Sequence, residues 1–260
     1  MNGMGNYYFL AASLPPLILG EKPELSFVEL CDRLEINLSK TDFAKTVVIR
    51  RYFDLLNIQS LFIEEAIDSR GNLSEKELDE ALLIHNILPN YVFDFLDRYD
   101  TLTERIDHFT ALIAQFFLEE IPLQKGFLKD YLSFERAWRL ILLALRAKES
   151  KRDLVKELQY DDLYDSLVMQ ILAYRDAEQY DPPQEYREIK EIFISCGADP
   201  WLRNKTMAAY RFRKIEELVD RPLFHIDWIL SYMAKVIVVE SLAELDKERG
   251  QNVLETFKTG

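Results

Sequence analysis

Apolar residues recur at helical spacing along most of the chain. Phe27, Leu30 and Leu34 follow one another three and four positions apart, which predicts a helix from Ser26 to Ile36. A second, longer helix is predicted from Ser39 to about Ala66. Its apolar residues cover too wide an arc for a surface helix, so we expect it to be central to the fold.

Helix-capping patterns and prolines divide the rest of the chain. Ser74 stands three residues before Glu77, and Thr101 three before Glu104, so each pair forms the capping box that begins a helix. Pro89 is placed to open a further helix at its first turn. The remaining periodic segments predict the following helices: Ser74 to about Asn86, one from Pro89, Thr101 to near Glu120, Lys125 to about Lys148, Tyr164 to Ala177, Tyr186 to Ile194, Trp201 to Asp220, and Phe224 to about Lys247 following Pro222.

Glycine and proline are scarce. The 260 residues include 8 Gly and 9 Pro, about half the usual share of these two residues. Sheet-rich folds need many tight turns built from them, whereas long helices need few. We therefore predict an all-α, multi-helix bundle with at least about 60% helix. The segment from Tyr7 to Leu14 is predicted to be extended and to be the only strand-like element.

We expect residues 1–260 to form a single compact helical unit. Within it, the breaks in the helical pattern suggest sub-units at 1–120, 121–200 and 201–260. The turn at Asp181, Pro182 and Pro183 is the clearest linker, but it is too short to separate autonomous domains.

The chain is strongly acidic, with a net charge of −13 and a pI near 4.8. Phosphate backbones and anionic headgroups repel such a surface, so we expect no nucleic acid partner and no direct lipid binding. No stretch approaches the roughly 18 apolar residues that a membrane span requires. Cys31 and Cys196 are far apart and fit two buried, reduced thiols. These features predict a cytoplasmic protein.

One acidic cluster matches a known catalytic pattern. Asp161, Asp162 and Asp165 form the DDxxD sequence with which helical isoprenoid synthases hold Mg²⁺, and three carboxylates on one helix turn could bind a hard cation. No arginine pair follows to grip a diphosphate, so we interpret the cluster as a solvated acidic face. His85, His108 and His225 lack metal-ligand spacing. We predict no catalytic residues, no metal site and no cofactor.

Polar residues interrupt the two most apolar helices. These are Arg50, Arg51, Asp54 and Asn57 in the first, and Glu135, Arg136 and Arg139 in the second. Arg50 and Asp54 are four positions apart, as are Glu135 and Arg139, so each pair can meet on one helix face. Two interpretations are open. The pairs fix helix register inside the bundle, or they form a polar rim where a partner protein docks.

These two helices resemble those of a known family, the C (or d) subunits of V-type and A-type ATPases. The first helix of that family reads RxxxDxxNIxxL, its second contains DxxNLR and its last has a YxxxKxxE pattern. The opening residues resemble a bacterial family of unassigned function that accompanies V-type ATPase subunits. The segments that carry these resemblances are Arg50 to Gln59, Asp130 to Arg139, Pro222 to Tyr232 with Lys235 and Glu240, and Tyr7 to Pro15. Trp138 stands where the second motif would have Asn.

The resemblance implies a funnel of pseudo-repeated helical units without an active site. Proteins of this family sit on the membrane ring that carries protons or sodium ions, and grip the central shaft. They couple ATP turnover to ion transport by passing torque between the two. The implied partners are the shaft and ring subunits, and the implied location is cytoplasmic, peripheral to the membrane through the complex. Two alternatives stay open: a helical scaffold or adaptor, and a Mg²⁺-dependent helical enzyme using Asp161, Asp162 and Asp165.

Overall fold

The protein is almost entirely helical. The structure, a computed structural model, describes residues 7–197, 199–220 and 224–259, with side chains as far as residue 246. It is 70% helical and contains no strand in those ranges, which confirms the all-α prediction. The helices are α1 (Tyr8–Ser13), α2 (Phe27–Asn37), α3 (Lys40–Phe62), α4 (Glu75–Ile84), α5 (Asn90–Arg98), α6 (Leu102–Asp107), α7 (Phe109–Leu123), α8 (Phe127–Glu149), α9 (Leu154–Glu157), α10 (Ser166–Leu172), a 3-10 turn (Gln184–Tyr186), α11 (Arg187–Ser195), α12 (Pro200–Glu217) and α13 (Ile226–Thr259).

Both predicted capping boxes are present. The Ser74 hydroxyl accepts the Glu77 N–H while the Glu77 carboxylate accepts the Ser74 N–H, and Thr101 and Glu104 are joined in the same way. The helix predicted from Thr101 to Glu120 is instead two helices that meet at His108. At this break the His108 ring stacks on Tyr99, with 4.6 Å between the ring centroids. The predicted helix start at Pro222 lies outside the described residues.

The N-terminal segment is not extended, which corrects the prediction for Tyr7 to Leu14. Residues Tyr8–Ser13 form α1, and Leu10 and Ala11 are its buried residues. The helix ends at Leu14 because a residue that precedes proline is pushed out of the helical region, and Leu14 has φ −81° and ψ 125°. The two aromatic residues within α1, Tyr8 and Phe9, are both exposed.

The chain divides into two compact units. One comprises residues 1–43 and 188–260, and the other residues 44–187. The sub-units expected from the sequence, with boundaries at 120/121 and 200/201, do not coincide with these. Helical periodicity marks where helices break, but it does not tell which helices pack together, so a unit made of both chain ends was not visible in it.

The unit containing both chain ends is organised around α13. This helix packs against α12 and α2, and its residues Leu230, Met233 and Val239 are fully buried. The Glu240 carboxylate accepts a hydrogen bond of 2.7 Å from the Phe27 N–H at the start of α2. The Tyr232 hydroxyl donates to the Pro15 carbonyl at 2.8 Å.

The unit of residues 44–187 is organised around α7 and α8. These two helices pack together, α5 and α6 pack on α7, and the short helices α9 and α10 pack on α8. Leu112, Phe116 and Leu140 are fully buried in this core. The apolar stretches of α7 and α8 thus supply the main core of the unit, and α3 contributes Leu55 and Ile58.

Three helices are as long as a membrane span or longer. Helices α3 and α8 have 23 residues each, and α13 has 34. All three carry charged residues along their length, such as Arg50, Arg136 and Lys235. None of the helices in the described ranges is both long and apolar enough to cross a membrane.

A pair of leucines on α13 tests the packing of the first unit. Leu230→Ala removes a side chain that is 0% exposed, so we expect the free energy of unfolding to fall by about 2–5 kcal/mol. Leu245→Ala on the same helix, where the residue is 39% exposed, should change it by less than about 1 kcal/mol. Urea unfolding followed by circular dichroism measures both. Equal losses would contradict the assigned packing of α13.

Candidate functional site

Three polar side chains of α3 bind one loop, residues 68–73, which we call the anchored loop. Arg50 donates from Nε to the Arg70 carbonyl at 3.3 Å and from Nη2 to the Gly71 carbonyl. The Asn57 amide makes two bonds with Asp68: its Oδ1 accepts the backbone N–H at 2.7 Å, and its Nδ2 donates to the carbonyl at 2.9 Å. The backbone polar groups of the loop therefore find partners on a neighbouring helix, as buried loops require.

Asp54 makes the tightest set of contacts with the anchored loop. Its Oδ1 accepts the backbone N–H groups of Asn72 and Leu73, at 2.5 and 3.1 Å, and its Oδ2 accepts the Asn72 amide at 2.6 Å. The residue is buried. Burial raises the pKa of the Asp54 carboxyl above its ordinary value, while these hydrogen bonds and nearby Arg50 oppose the rise.

Gly71 allows the anchored loop to approach α3 this closely. A Cβ atom on Gly71 would lie 2.7 Å from the Asn57 Nδ2 and 2.8 Å from the Asp54 Oδ1. At such distances the Asn57 amide and the Asp54 carboxylate would have to move, and both are held by their hydrogen bonds to the loop. The absence of a side chain at Gly71 thus leaves room for these contacts.

Arg50 and Asp54 face the same loop and bind different backbone groups of it. Both side chains do lie on one side of α3, as their spacing predicts. Arg50, however, binds carbonyl groups of the loop, and Asp54 binds its N–H groups. The reason is that the loop presents both kinds of backbone group, and each needs a partner when buried.

The second predicted cluster, on α8, also holds a turn. Arg139 donates from Nη2 to Asp161 Oδ1 at 2.5 Å, and Arg136 donates from Nη1 to Asp165 Oδ2 at 3.1 Å. Glu135 is half-buried on the same helix. The spacing placed Arg139 and Glu135 on one face of α8, but it did not predict the carboxylate partner of Arg139, Asp161, which lies in the turn between α9 and α10.

The solvated acidic face predicted for Asp161, Asp162 and Asp165 is wrong for two of the three. The Asp161 side chain is 2% exposed and paired with Arg139. Asp165 binds Arg136 and caps α10 by accepting the N–H groups of Leu167 and Val168. Only Asp162 is exposed. Sequence alone shows the acidic cluster but not the arginines opposite it.

The same geometry removes the premise of the Mg²⁺ hypothesis. The three aspartates lie in the turn before α10, not on one helix turn, and two of them face arginines. Among the residues that the structure describes, no group of three or more His, Cys, Asp or Glu side chains is placed to hold a metal ion.

A third polar cluster pairs Arg51, one of the polar residues noted in the sequence of α3, with a buried carboxylate that had not been predicted. Arg51, next to Arg50 on α3, donates to the Glu120 carboxylate of α7, whose side chain is 4% exposed. The Tyr91 hydroxyl of α5 also donates to Glu120, at 3.4 Å. Burial and the Glu120 carboxylate raise the pKa of Tyr91. The sequence does show two adjacent acidic residues, Glu119 and Glu120, within the apolar stretch of α7. Glu119 is exposed and Glu120 is buried, and the sequence pattern does not distinguish one from the other.

Comparison with known proteins places the chain among relatives without an assigned function. The model of the family described as "Protein of unknown function (DUF2764)" matches residues 4–260. A protein of Chlamydia trachomatis serovar D and one of Chlamydia muridarum are each 27% identical over 263 residues, 99% of both chains. A protein of Chlamydia pneumoniae is 27% identical over 254 residues, covering 95% of this chain and 96% of its own. All three carry the name "Uncharacterized protein". No solved structure matches the chain.

Adjacent aspartates allow a matched test of the turn before α10. Asp161→Ala leaves the Arg139 charge without its buried partner, so the free energy of unfolding should fall by about 3–5 kcal/mol. Asp162→Ala removes an exposed carboxylate and should change it by no more than about 0.5 kcal/mol. Thermal unfolding of the two variants measures the difference. If both behave like the wild type, the Arg139–Asp161 contact is not formed in solution.

Gly71→Ala tests the fit of the anchored loop. The added Cβ would crowd Asp54 and Asn57, so we expect a loss of about 1–3 kcal/mol in the free energy of unfolding. In an Asn57→Ala background one of the two crowded atoms is gone, and the loss should be smaller by at least about 0.5 kcal/mol. Urea unfolding of the two single variants and the double variant completes the cycle. Strict additivity would show that Gly71 and Asn57 do not touch.

Proposed function

We propose that this chain, which belongs to the DUF2764 family, is a non-catalytic component of a V-type ATPase, similar to its C (or d) component. In this role it links the central shaft to the membrane ring and takes part in coupling ATP turnover to ion transport. Its partners are the shaft and ring subunits.

The main support for the proposal comes from what the motif residues of α3 contact. Arg50, Asp54 and Asn57 are the three polar residues in which this helix resembles the first motif of the V-type ATPase family. All three bind the anchored loop with partly buried hydrogen bonds. Their polar groups therefore serve to fix the geometry of the helix and of the loop. A motif whose residues fix a loop against a helix suits a protein that transmits force between its partners.

Mechanical coupling requires loops that keep their conformation under load. Contacts of Arg50, Asp54 and Asn57 hold the anchored loop, and the Arg139–Asp161 and Arg136–Asp165 contacts hold the turn before α10. Hydrogen bonds that involve a charged group contribute about 1.5–3 kcal/mol each. Several of them in one loop make local opening costly, so the helices at either end keep their relative direction.

The charge of the chain supports attachment through protein contacts. At a net charge of −13 the protein is repelled by anionic headgroups. Association with a membrane ring would accordingly rest on apolar and polar contacts with ring and shaft subunits.

Co-purification tests the proposal directly. The tagged wild-type chain, purified from detergent-solubilised membranes of its own organism, should elute with the shaft and ring subunits. Elution without any ATPase component would refute the proposed function and favour a free-standing helical scaffold or adaptor. The Asp54→Ala, Asn57→Ala double variant should be less stable by about 1–3 kcal/mol and should recover less of the complex.

The matched control is the double variant Asp32→Ala, Asn37→Ala, which makes the same substitutions at exposed positions of α2. It should match the wild type in melting temperature and in recovery of the complex. If the Asp54→Ala, Asn57→Ala variant loses the complex while its melting temperature is unchanged, these residues contact the partner directly and their structural role is wrong.

A further inference from the structure

The connection between α4 and α5 exposes three large apolar side chains. Leu83, Ile84 and Ile87 are 82%, 54% and 71% exposed, and we call them the α4–α5 tip. The inner face of α4 is already filled by Leu78 and Ala81, which are fully buried. Leu83 and Ile87, which are the most exposed of the three, therefore contribute little to the core. Single exposed apolar residues are common, but adjacent ones at the end of a helix mark a contact surface.

The backbone at the tip is held in an unusual conformation. His85 has φ 51° and Ile87 has φ 66°, and the Leu88 N–H donates to the Asn86 carbonyl at 2.7 Å, which closes a turn centred on Ile87. Positive φ is a strained choice for a β-branched residue, and a three-residue turn of this sign is rare. Since Ile87 is exposed, burial of its own side chain does not offset the strain. Strain of this kind tends to persist where a side chain must be presented to a partner.

Contacts before and after the α4–α5 tip in the chain hold its backbone in place. The anchored loop leads directly into the capping box of Ser74 and Glu77 at the start of α4. At the other end, the His85 ring stacks on Phe93 of α5, with 4.7 Å between centroids. Leu88, directly after Ile87, is buried. A surface held in this way loses little conformational entropy on binding.

The charged side chains next to the tip on α4 are acidic. Asp79 and Glu80 are both exposed and lie three to five positions before Leu83 and Ile84, so Asp79 shares a helix face with Leu83 and Glu80 with Ile84; we call these two carboxylates the acidic rim. A second copy of this chain would bring the same acidic surroundings, and an anionic membrane would bring more negative charge. Both are disfavoured by like-charge repulsion.

From the apolar tip, its strained backbone and its acidic rim, we propose that the α4–α5 tip docks onto a partner protein through an apolar patch bordered by lysine and arginine. The apolar contact between Leu83, Ile87 and that patch supplies most of the affinity. The acidic rim speeds and orients the encounter, so binding weakens as salt is added. This docking does not depend on the proposed ATPase role, because any protein with such a patch would meet the same surface.

Two model helices serve as probes of this chemistry. One is an amphipathic peptide of roughly 18 residues, long enough to form a helix, with leucine on one face and lysine on the other. The second replaces every lysine with glutamate. Titration calorimetry should show the Leu/Lys peptide binding at least about tenfold more tightly than the Leu/Glu peptide. Equal binding of the two, or no binding of either, overturns the proposal.

The deciding variant is Leu83→Ser, Ile87→Asn. Asparagine tolerates positive φ better than isoleucine, so Ile87→Asn alone should leave the melting temperature unchanged or raise it. The double variant should nevertheless bind the Leu/Lys peptide about tenfold more weakly. The control Ile36→Ser, Leu123→Ser removes equally exposed apolar residues, 83% and 72% exposed, from α2 and α7. It should bind like the wild type.

Three results would overturn the assignment. The first is that the tip variant binds the Leu/Lys peptide as tightly as the wild type does. The second is that the wild type sediments as a dimer and the tip variant as a monomer, which would make a second copy of the chain the occupant. The third is that the wild type pellets with phosphatidylserine vesicles and the tip variant does not, which would make a membrane the occupant.

Discussion

A carboxylate buried in a protein must be matched by donors from the same fold, and Asp54 obtains its donors from one loop. The N–H groups of Asn72 and Leu73 and the Asn72 amide all point at it. Burial alone would favour the neutral acid. The charged form of Asp54 is therefore tolerated only while these hydrogen bonds are formed. If the loop left α3, the N–H groups of Asn72 and Leu73 would lose their partner as well.

The position of α4 follows from that constraint. The anchored loop ends where the capping box of Ser74 begins α4, and α4 leads to the exposed residues Leu83, Ile84 and Ile87. The absence of a side chain at Gly71 leaves room for the loop to lie directly against Asp54 and Asn57. A comparable arrangement occurs on α8, where Arg136 and Arg139 hold the turn that exposes Leu163 and Tyr164. In both places buried polar contacts fix a connection whose outer side carries apolar residues.

Local features of the fold could be predicted from the sequence, and non-local ones could not. The capping boxes at Ser74 and Thr101 involve residues three apart, so the sequence specifies them. Arg50, Asp54 and Asn57 stood out as polar residues in an apolar helix, but their partners lie 11 to 21 positions further along the chain. The i,i+4 rule placed Arg50 and Asp54 on one face of α3, but it could not identify the loop that both side chains bind. The buried position of Asp161 was missed because its partner Arg139 lies on α8, 22 positions away in the sequence.

Hydrogen exchange at the anchored loop tests the central claim most directly, namely that the polar residues of α3 hold this loop in place. The amides of Asn72 and Leu73 lie outside any helix, so their protection depends on the bonds to Asp54. The account predicts that both amides are strongly protected in the wild type, and that Asp54→Ala removes this protection while amides in the middle of α13 keep theirs. If Asn72 and Leu73 exchange in the wild type as fast as in an unstructured peptide, or stay protected in Asp54→Ala, the anchoring role of α3 is contradicted.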